Sequence, residues 1–450
     1  MSTNSKLSSA ARGDEYGLPS RYKSSGRKTS RLSVHVVLFA MALTVAMTLG
    51  PAGGTNGPQA APAAAPQNET GQLAIPGMWV IDECHKATEQ WLGAWGQVKK
   101  DIEKTTGTTF AICVDNNTAF ILNGRGEGHQ RNLLWWNMTV GQTLWKDAKL
   151  VARVRGSMTH DHDEPPHGVY PLIRPKQNLD WRWAETECLY LANLYLEQRL
   201  LDGKLLVAVG KINAPLFFDT NEVAGWDFLS HSLARNQAYP HKYHTIGAVV
   251  RYDPLDWLYV QAGVVDAEGR RSEMGTNTAF HGHCWYQSMY EVGFKTLIAG
   301  MKGNYRFELW HDPTPLNTYE DGGRKRDNVG FGTSFDQMIT DKLGVFVRYG
   351  YNERDVRTFS NCWSLGATYK GLIPGRDKDV LGFGFAQGIS GDDYRRATHA
   401  TASESLFETY YKIQVTNWLT IYPDVQVLLN PGTRDEDVSV VGGLRVKLDF

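Results

Sequence analysis

The last thirteen residues, "VSVVGGLRVKLDF" (438–450), alternate between apolar and polar side chains. One face of an extended chain carries apolar residues, namely Val438, Val440, Leu444, Val446, Leu448 and Phe450. The other face carries polar ones, namely Ser439, Arg445, Lys447 and Asp449. A period of two is typical of a β-strand with one apolar and one wet face. The chain is therefore predicted to end in such a strand, with Phe450 on its apolar face.

The same alternation recurs along the chain and predicts an all-β fold. About sixteen segments show it, near residues 108–122, 134–144, 147–158, 187–198, 204–211, 244–252, 256–266, 288–297, 302–311, 326–339, 341–352, 360–370, 378–388, 404–415, 417–429 and 437–450. Short connectors alternate with long ones, which are 159–186, 212–243, 267–287 and 312–325. An even number of long strands joined in this way predicts a 16-stranded antiparallel transmembrane β-barrel.

A water-soluble β-sandwich is the alternative fold, because it shows the same alternation with the apolar face buried inside. Three features favour the membrane barrel. The segments are long, Tyr and Trp cluster toward their ends, and the chain terminates in an aromatic residue of the apolar face. Aromatic girdles at both membrane interfaces are typical of outer-membrane barrels.

The first 65 residues are predicted to be a signal peptide with a long leader. Residues 21–31 carry five basic side chains, residues 36–49 form an uncharged and mostly apolar run of 14, and small residues follow at 57–67. This order is typical of secretory signals. An N-terminal membrane anchor is the rival interpretation, but the run is short of the roughly 20 residues that span a bilayer. Cleavage near residues 61–65 is therefore expected.

The mature chain is predicted to begin with a short accessory segment before the barrel. Residues 66–106 should form an extended stretch and then a short amphipathic periplasmic helix over 86–105, because Trp91, Trp95 and Val98 recur at helical spacing. The barrel itself is expected to occupy residues 107–450.

Composition and motifs argue against several classes of protein. The 47 basic and 48 acidic side chains nearly cancel, so no strong field points to nucleic acid. The five cysteines are scattered without a CxxC pair, and no disulfide is assigned. The sequence contains no HExxH, nucleophile elbow or P-loop, so neither an enzyme nor a cofactor is expected.

The stretch "SMTHDHDEPPHGVY" (157–170) is the one segment that suggests a metal. His160, His162 and His167 lie among acidic residues, and His-x-His with carboxylates can chelate zinc. The alternative is a solvated outer loop stiffened by Pro165 and Pro166. The loop interpretation is favoured because the stretch follows the third predicted strand, and no metal site is predicted.

Four blocks of the sequence resemble the carbohydrate-selective porins of the OprB type. They cover residues 196–224, 239–267, 408–432 and 442–450, and they occur in the family's order. The resemblance implies an outer-membrane channel that passes glucose-type sugars by diffusion. It also implies contact with membrane lipid, recognition of Phe450 by the barrel-assembly machinery, and a monomer or a trimer.

The resemblance places a constriction loop at about residues 212–243, folded into the barrel. Its carboxylates Asp219 and Glu222 are expected to face the lumen. Strand parity points eight wall residues inward, namely Arg153, Arg155, Asn193, Arg251, Glu291, Arg306, Glu308 and Arg348. An arginine facing lipid at the bilayer midplane would cost about 2–4 kcal/mol. Arg153, Arg306 and Arg348 lie near mid-strand and are expected to matter most for selection.

Two other functions remain open at this point. A general or anion-preferring channel would use the same barrel, because arginine-rich walls also suit carboxylates or phosphate. A secreted β-rich enzyme is a third candidate and would use "HDHDE" (160–164). Sugar diffusion is favoured over both.

Overall fold

The computed structural model describes residues 95–124, 127–128, 130–161, 187–225, 227–435 and 438–450. The signal peptide and leader, the extended stretch after them, and the first part of the predicted helix lie outside these ranges. So do residues 162–186, which include His162 and His167. The predictions made for those segments stay predictions, as do those for the assembly machinery, the lipid and the oligomeric state.

Sixteen antiparallel strands close into a barrel, which confirms the predicted fold. They are β1 (Thr108–Asn123), β2 (Gln130–Trp145), β3 (Ala148–Asp161), β4 (Glu187–Leu200), β5 (Leu205–Ile212), β6 (Thr245–Leu255), β7 (Leu258–Asp266), β8 (Tyr286–Ile298), β9 (Met301–Asp312), β12 (Asn328–Met338), β13 (Leu343–Tyr351), β14 (Phe359–Lys370), β15 (Val380–Ser390), β16 (Ser403–Gln414), β17 (Leu419–Leu429) and β18 (Ser439–Asp449). Two short strands, β10 (Leu316–Asn317) and β11 (Arg324–Lys325), form a separate hairpin between β9 and β12.

The ends of the chain close the barrel. Strand β18 pairs with β1, and each of Ile112 and Phe450 donates its backbone N–H to the other's carbonyl, at 3.1 and 2.8 Å. The ring of Phe450 stacks near that of Trp418, with centroids 6.4 Å apart. In β18, Ser439, Arg445 and Asp449 are buried in the interior while Leu444 is exposed outside, so the predicted parity is confirmed.

Four α-helices accompany the barrel within the described ranges, namely α1 (Trp95–Thr106), α2 (His231–Ala234), α3 (Thr276–His281) and α4 (Asp392–Thr398). Helix α1 overlaps the helix predicted over 86–105 and contacts the start of β1, where the Trp95 and Phe110 rings lie 5.5 Å apart. None of the described helices has the length and apolar content that a membrane span needs.

The connectors separate the barrel into a turn end and a loop end. The turn end carries the shorter connectors, such as those at 146–147, 201–204 and 299–300. The loop end carries longer ones, including loop L3 (residues 213–244) and loop L4 (residues 267–285). These two loops leave the rim in different ways, since L3 packs inside the barrel and part of L4 packs outside.

Loop L4 covers a lysine on the outer face of the wall. Lys211 pairs with Leu194 and Ile246, which share its outward parity, yet it is 1% exposed. Its ammonium donates to the carbonyl oxygens of Arg271, at 2.9 Å, and Glu273, at 2.5 Å. The backbone of L4 thereby supplies the acceptors that a buried cation requires.

Candidate functional site

Loop L3 is anchored in the barrel by apolar side chains. Phe217, Phe218, Phe228 and Leu233 are all buried in the main hydrophobic cluster. The ring of Phe228 lies 5.6 Å from that of Phe346 and 5.0 Å from that of Tyr410. A side chain at Gly384 would approach Leu233 within 2.7 Å, so the wall leaves room there for the loop. Phe217 and Phe218 pack against the wall, since the Phe217 ring lies 6.2 Å from that of Tyr195 and a side chain at Gly263 would approach Phe218 within 2.7 Å.

Carboxylates of the wall accept hydrogen bonds from the backbone of L3. Glu308 accepts the N–H of Asp219 at 2.9 Å, and Asp336 accepts that of Glu222 at 3.3 Å. Glu408 accepts the N–H groups of two consecutive loop residues, 229 and 230, at 2.5 and 2.9 Å. A loop buried away from water needs such partners for its backbone.

Donors of the wall bind the carbonyl oxygens of the same loop. Arg348 donates to Leu233 O at 2.5 Å and to Ala224 O at 3.4 Å. Asn352 donates to Ala238 O at 2.5 Å, and the hydroxyl of Ser334 donates to Thr220 O at 2.8 Å. Acidic, basic and neutral polar side chains in or next to strands β9, β12, β13 and β16 thus bond to the backbone of L3.

Asp219 lies at the centre of a buried ionic group beneath L3. Its carboxylate is 3.4 Å from Arg348 Nε and 3.4 Å from His241 Nε2, and it accepts the N–H of Asn236 at 2.7 Å. Arg235 donates to the carbonyl oxygen of Asp219 at 2.7 Å. Burial raises the pKa of Asp219, and the two arginines oppose that effect. The sequence predicted that this carboxylate faces the lumen, but the structure buries it in the loop's anchorage.

Arg306 is also buried, and it forms an ion pair with Asp336 at 2.5 Å. The side chains of Arg306 and Arg348 are 1% and 2% exposed. Their inward orientation agrees with the predicted parity. Both lie beneath L3 rather than on an open surface, because the loop covers the part of the wall on which they stand.

A second network joins further predicted residues on β6–β9. Arg251 binds Asp253 through two hydrogen bonds, of 2.9 and 3.1 Å, and its guanidinium lies 3.7 Å from the centre of the Tyr259 ring. The Tyr259 hydroxyl donates to Glu291 at 2.6 Å. Glu291 pairs in register with Glu308, so this network adjoins the anchorage of L3.

Arg153, Arg155 and Asn193 stand on a different part of the wall, in β3 and β4. Arg153 donates from Nε to the hydroxyl of Thr139 at 3.0 Å, and the guanidinium of Arg155 lies 4.6 Å from the centre of the Trp135 ring. Asn193 pairs in register with Arg153 and is buried. The structure therefore brings these three residues together on β3 and β4, and the charges of Arg153 and Arg155 also act on His244 at the end of L3.

Sequence reasoning missed two charged residues, Lys412 of β16 and Arg445 of β18, that lie near Asp227 at the tip of L3. Lys412 Nζ donates to the two carboxylate oxygens of Asp227 at 3.0 and 3.2 Å, and Arg445 binds Asp115 at 2.5 Å. Parity alone marked Lys412 and Arg445 as inward. No local pattern linked them to Asp227, which lies about two hundred residues away in sequence.

The histidines provide no metal centre in the described part of the chain. Across the described ranges, no three His, Cys, Asp or Glu side chains cluster as a metal ion would require. The backbone of His160 lies at the end of β3, paired with Asn132. His162 and His167 fall outside the described residues, so the absence of a metal at 160–167 stays a prediction.

Comparisons with known proteins agree with this geometry. The model of the carbohydrate-selective porin, OprB family, matches residues 116–450. The chain belongs to the carbohydrate-selective porin family. Like other members, it is a channel of the bacterial outer membrane for passive, selective diffusion of sugars, rather than an enzyme.

Individual relatives are distant in sequence. Porin B of Pseudomonas aeruginosa is 23% identical over 60% of this chain and 70% of its own length. Porin AaxA of Chlamydia pneumoniae is 23% identical over 58% of this chain and 59% of its own. The high pH structure of Pseudomonas putida OprB covers 81% of this porin and 99% of that chain, with 19% identity and a TM-score of 0.70, which supports the fold.

Proposed function

We propose that this porin passes neutral, glucose-type sugars through an aperture whose width is set by loop L3. The observation that carries the proposal is the clamping of L3 by wall carboxylates, arginines and amides inside the barrel. A loop held at so many points keeps a fixed position, so solutes can be sorted by size without any moving part.

The pairing of charges inside the barrel supports a neutral solute. Arg251 is paired with Asp253, Arg306 with Asp336 and Arg445 with Asp115. Paired charges cancel at a distance, so these buried pairs leave little net field that would attract a free anion. Such a surface suits a polyol better than a free anion.

The predicted pore residues divide into two roles under this proposal. Arg153, Arg155, Asn193 and Glu222 are assigned to the aqueous passage. Six others act through the position of the loop or through the wall that supports it, namely Asp219, Arg251, Glu291, Arg306, Glu308 and Arg348. Their bonds to L3, to its anchoring residues or to each other support the indirect role.

A channel that prefers anions is the second candidate, because Arg153 and Arg155 stand side by side in β3. Liposome swelling with purified, heat-modifiable protein separates the two. We expect glucose to enter at least as fast as gluconate of similar size, and both to outpace a disaccharide. Faster entry of gluconate would favour the anion channel, and equal entry of all three solutes would contradict a size-setting loop.

A further inference from the structure

The tip of loop L3 forms a cluster with strands β16–β18 and β1, here called the tip cluster (Asp115, Asp227, Lys412, Tyr422 and Arg445). The Lys412 ammonium donates to Asp227 at 3.0 and 3.2 Å, and the Tyr422 hydroxyl donates to the same carboxylate at 3.0 Å. Lys412 is the third residue from the turn end of β16. The tip of L3 therefore descends toward the turn end of the barrel.

Charges in the tip cluster are balanced. Arg445 binds Asp115 through its Nε at 2.9 and 3.0 Å, and its guanidinium lies 5.1 Å from the centre of the Tyr422 ring. The Lys412 ammonium lies 5.6 Å from the same ring. Two cations and two carboxylates leave no net charge that would hold a free ion.

Asp227 and Lys412 differ in accessibility from the ionic group beneath L3. Their side chains are 32% and 23% exposed, whereas those of Asp219 and Arg348 are 0% and 2% exposed. Both lie inside the barrel. In β16, Lys412 points to the same face as Glu408 and Tyr410, and Tyr410 contacts Phe228 of the loop inside the barrel. Their open atoms therefore face the water that fills the channel.

The carboxylate of Asp227 is held in place before any solute arrives. The next residue, Phe228, is locked between Phe346 and Tyr410, and Glu408 holds the backbone just beyond it. Burial acts to raise the pKa of Asp227, but the neighbouring cations Lys412, Arg445 and Lys447 together outweigh it, and the pKa lies below its usual value. A pre-positioned, ionised acceptor beside an ammonium donor binds with little ordering cost.

We propose that Asp227 and Lys412 form a sugar-contact subsite on the turn-end side of loop L3, with Tyr422 and Arg445 as positioning residues. One hydroxyl of a sugar donates to Asp227, and its neighbour accepts from Lys412. The ligand class is a neutral polyol with adjacent hydroxyls. The inference rests on the proposed function and deepens it by naming the contact residues.

Single-channel recording in planar bilayers tests the subsite, with glucose titrated against KCl conductance. We expect Lys412→Gln and Asp227→Asn each to weaken glucose block about five-fold or more, since each removes a hydrogen bond to a charged group. Lys378→Gln is the matched control. Lys378 lies outside the barrel strands, bonded to Asn417, so this variant removes the same charge and should leave block unchanged.

A polymer-exclusion measurement separates a contact role from a structural one. If the pair contacts sugar, the largest polyethylene glycol that enters stays the same in both variants while glucose block weakens. If the pair merely holds the loop, the size limit rises and block changes with it, which would overturn the proposal. If Lys412→Gln does not yield heat-modifiable protein, the test rests on Asp227→Asn alone. Asparagine has nearly the same volume as aspartate and keeps an oxygen that accepts from Tyr422.

The two proposals fail in different ways. A wild-type channel that conducts KCl but neither binds nor passes glucose would contradict the proposed function. A wild-type channel blocked by glucose, with block unchanged in both variants, would contradict the subsite alone.

Discussion

Two parts of the barrel wall each carry inward-pointing arginines, but the arginines have different partners. Strands β9, β12 and β13 place Arg306 and Arg348 beneath loop L3, where both are buried and bonded to acidic or carbonyl oxygens. Strand β3 places Arg153 and Arg155 against β2, beside a hydroxyl and an indole ring. Alternation along a strand therefore determines which way a side chain points, but not whether another segment covers it.

The difference has an energetic consequence. A buried cation is tolerated when every partner is present, and removing one member of a buried pair typically costs about 3–5 kcal/mol because the other charge is left uncompensated. Arg153 is buried as well, but its bond to Thr139 is to a neutral hydroxyl, so losing that bond leaves no carboxylate uncompensated. The two groups of arginines should therefore respond very differently to the same substitution.

The largest effect is expected for Arg348→Met. This change leaves Asp219 without its guanidinium neighbour and two carbonyl oxygens of L3 without their donor. We expect part of L3 to detach, so that KCl conductance rises and larger polyethylene glycols enter. Planar-bilayer recording with polymers of graded size measures both quantities.

Arg354→Met is the matched control for that variant, because Arg354 is exposed in an outer connector and makes one loose ion pair, of 3.9 Å, with Asp392. It should leave conductance and size limit unchanged. An Arg348→Met channel with the wild-type size limit would show that L3 does not depend on this anchor.

A moderate effect is expected for Arg153→Met. Arg153 bonds to Thr139 on a neighbouring strand, and we expect L3 to keep its position when this arginine is lost. Removing a positive charge from this part of the wall should instead shift ion selectivity toward cations. Reversal potentials in a KCl gradient measure the shift. A raised polymer size limit in this variant would show that Arg153, like Arg348, affects the position of L3.

The smallest effect is expected when His160, His162 and His167 are all replaced by alanine. His160 lies at the end of β3, and the other two lie in the sequence between β3 and β4, which the sequence predicts to be a solvated loop. Glucose flux into liposomes should match that of the wild type with and without added zinc. A drop in flux that zinc restores would revive the metal interpretation of this stretch.

The strands were predictable because alternation and turns are local properties of sequence. Predicted boundaries agree with the observed ones within a few residues for most strands, as in β4 (Glu187–Leu200) and β18 (Ser439–Asp449). Agreement was poorest at the loop end of β2, which begins at Gln130 instead of 134, because polar residues there obscured the period.

The site was less predictable, because it depends on contacts between distant segments. The inward parity of Arg306, Arg348 and Glu308 was correct, but their burial follows from where L3 comes to rest. Asp115 lies in "VDNNT" (114–118), where both faces of β1 are polar and parity gives no guidance. The pairing of Asp227 with Lys412 required the three-dimensional path of the loop.

The hydrogen bonds of Lys211 link the folding of strand β5 to that of strands β7 and β8. It points away from the lumen near the end of β5, and the oxygens that receive its ammonium belong to the segment between β7 and β8. A hairpin of β5 and β6 formed by itself would leave this outward-facing ammonium without its two acceptors. The lysine is fully bonded only once β7 and β8 have brought the covering loop into place.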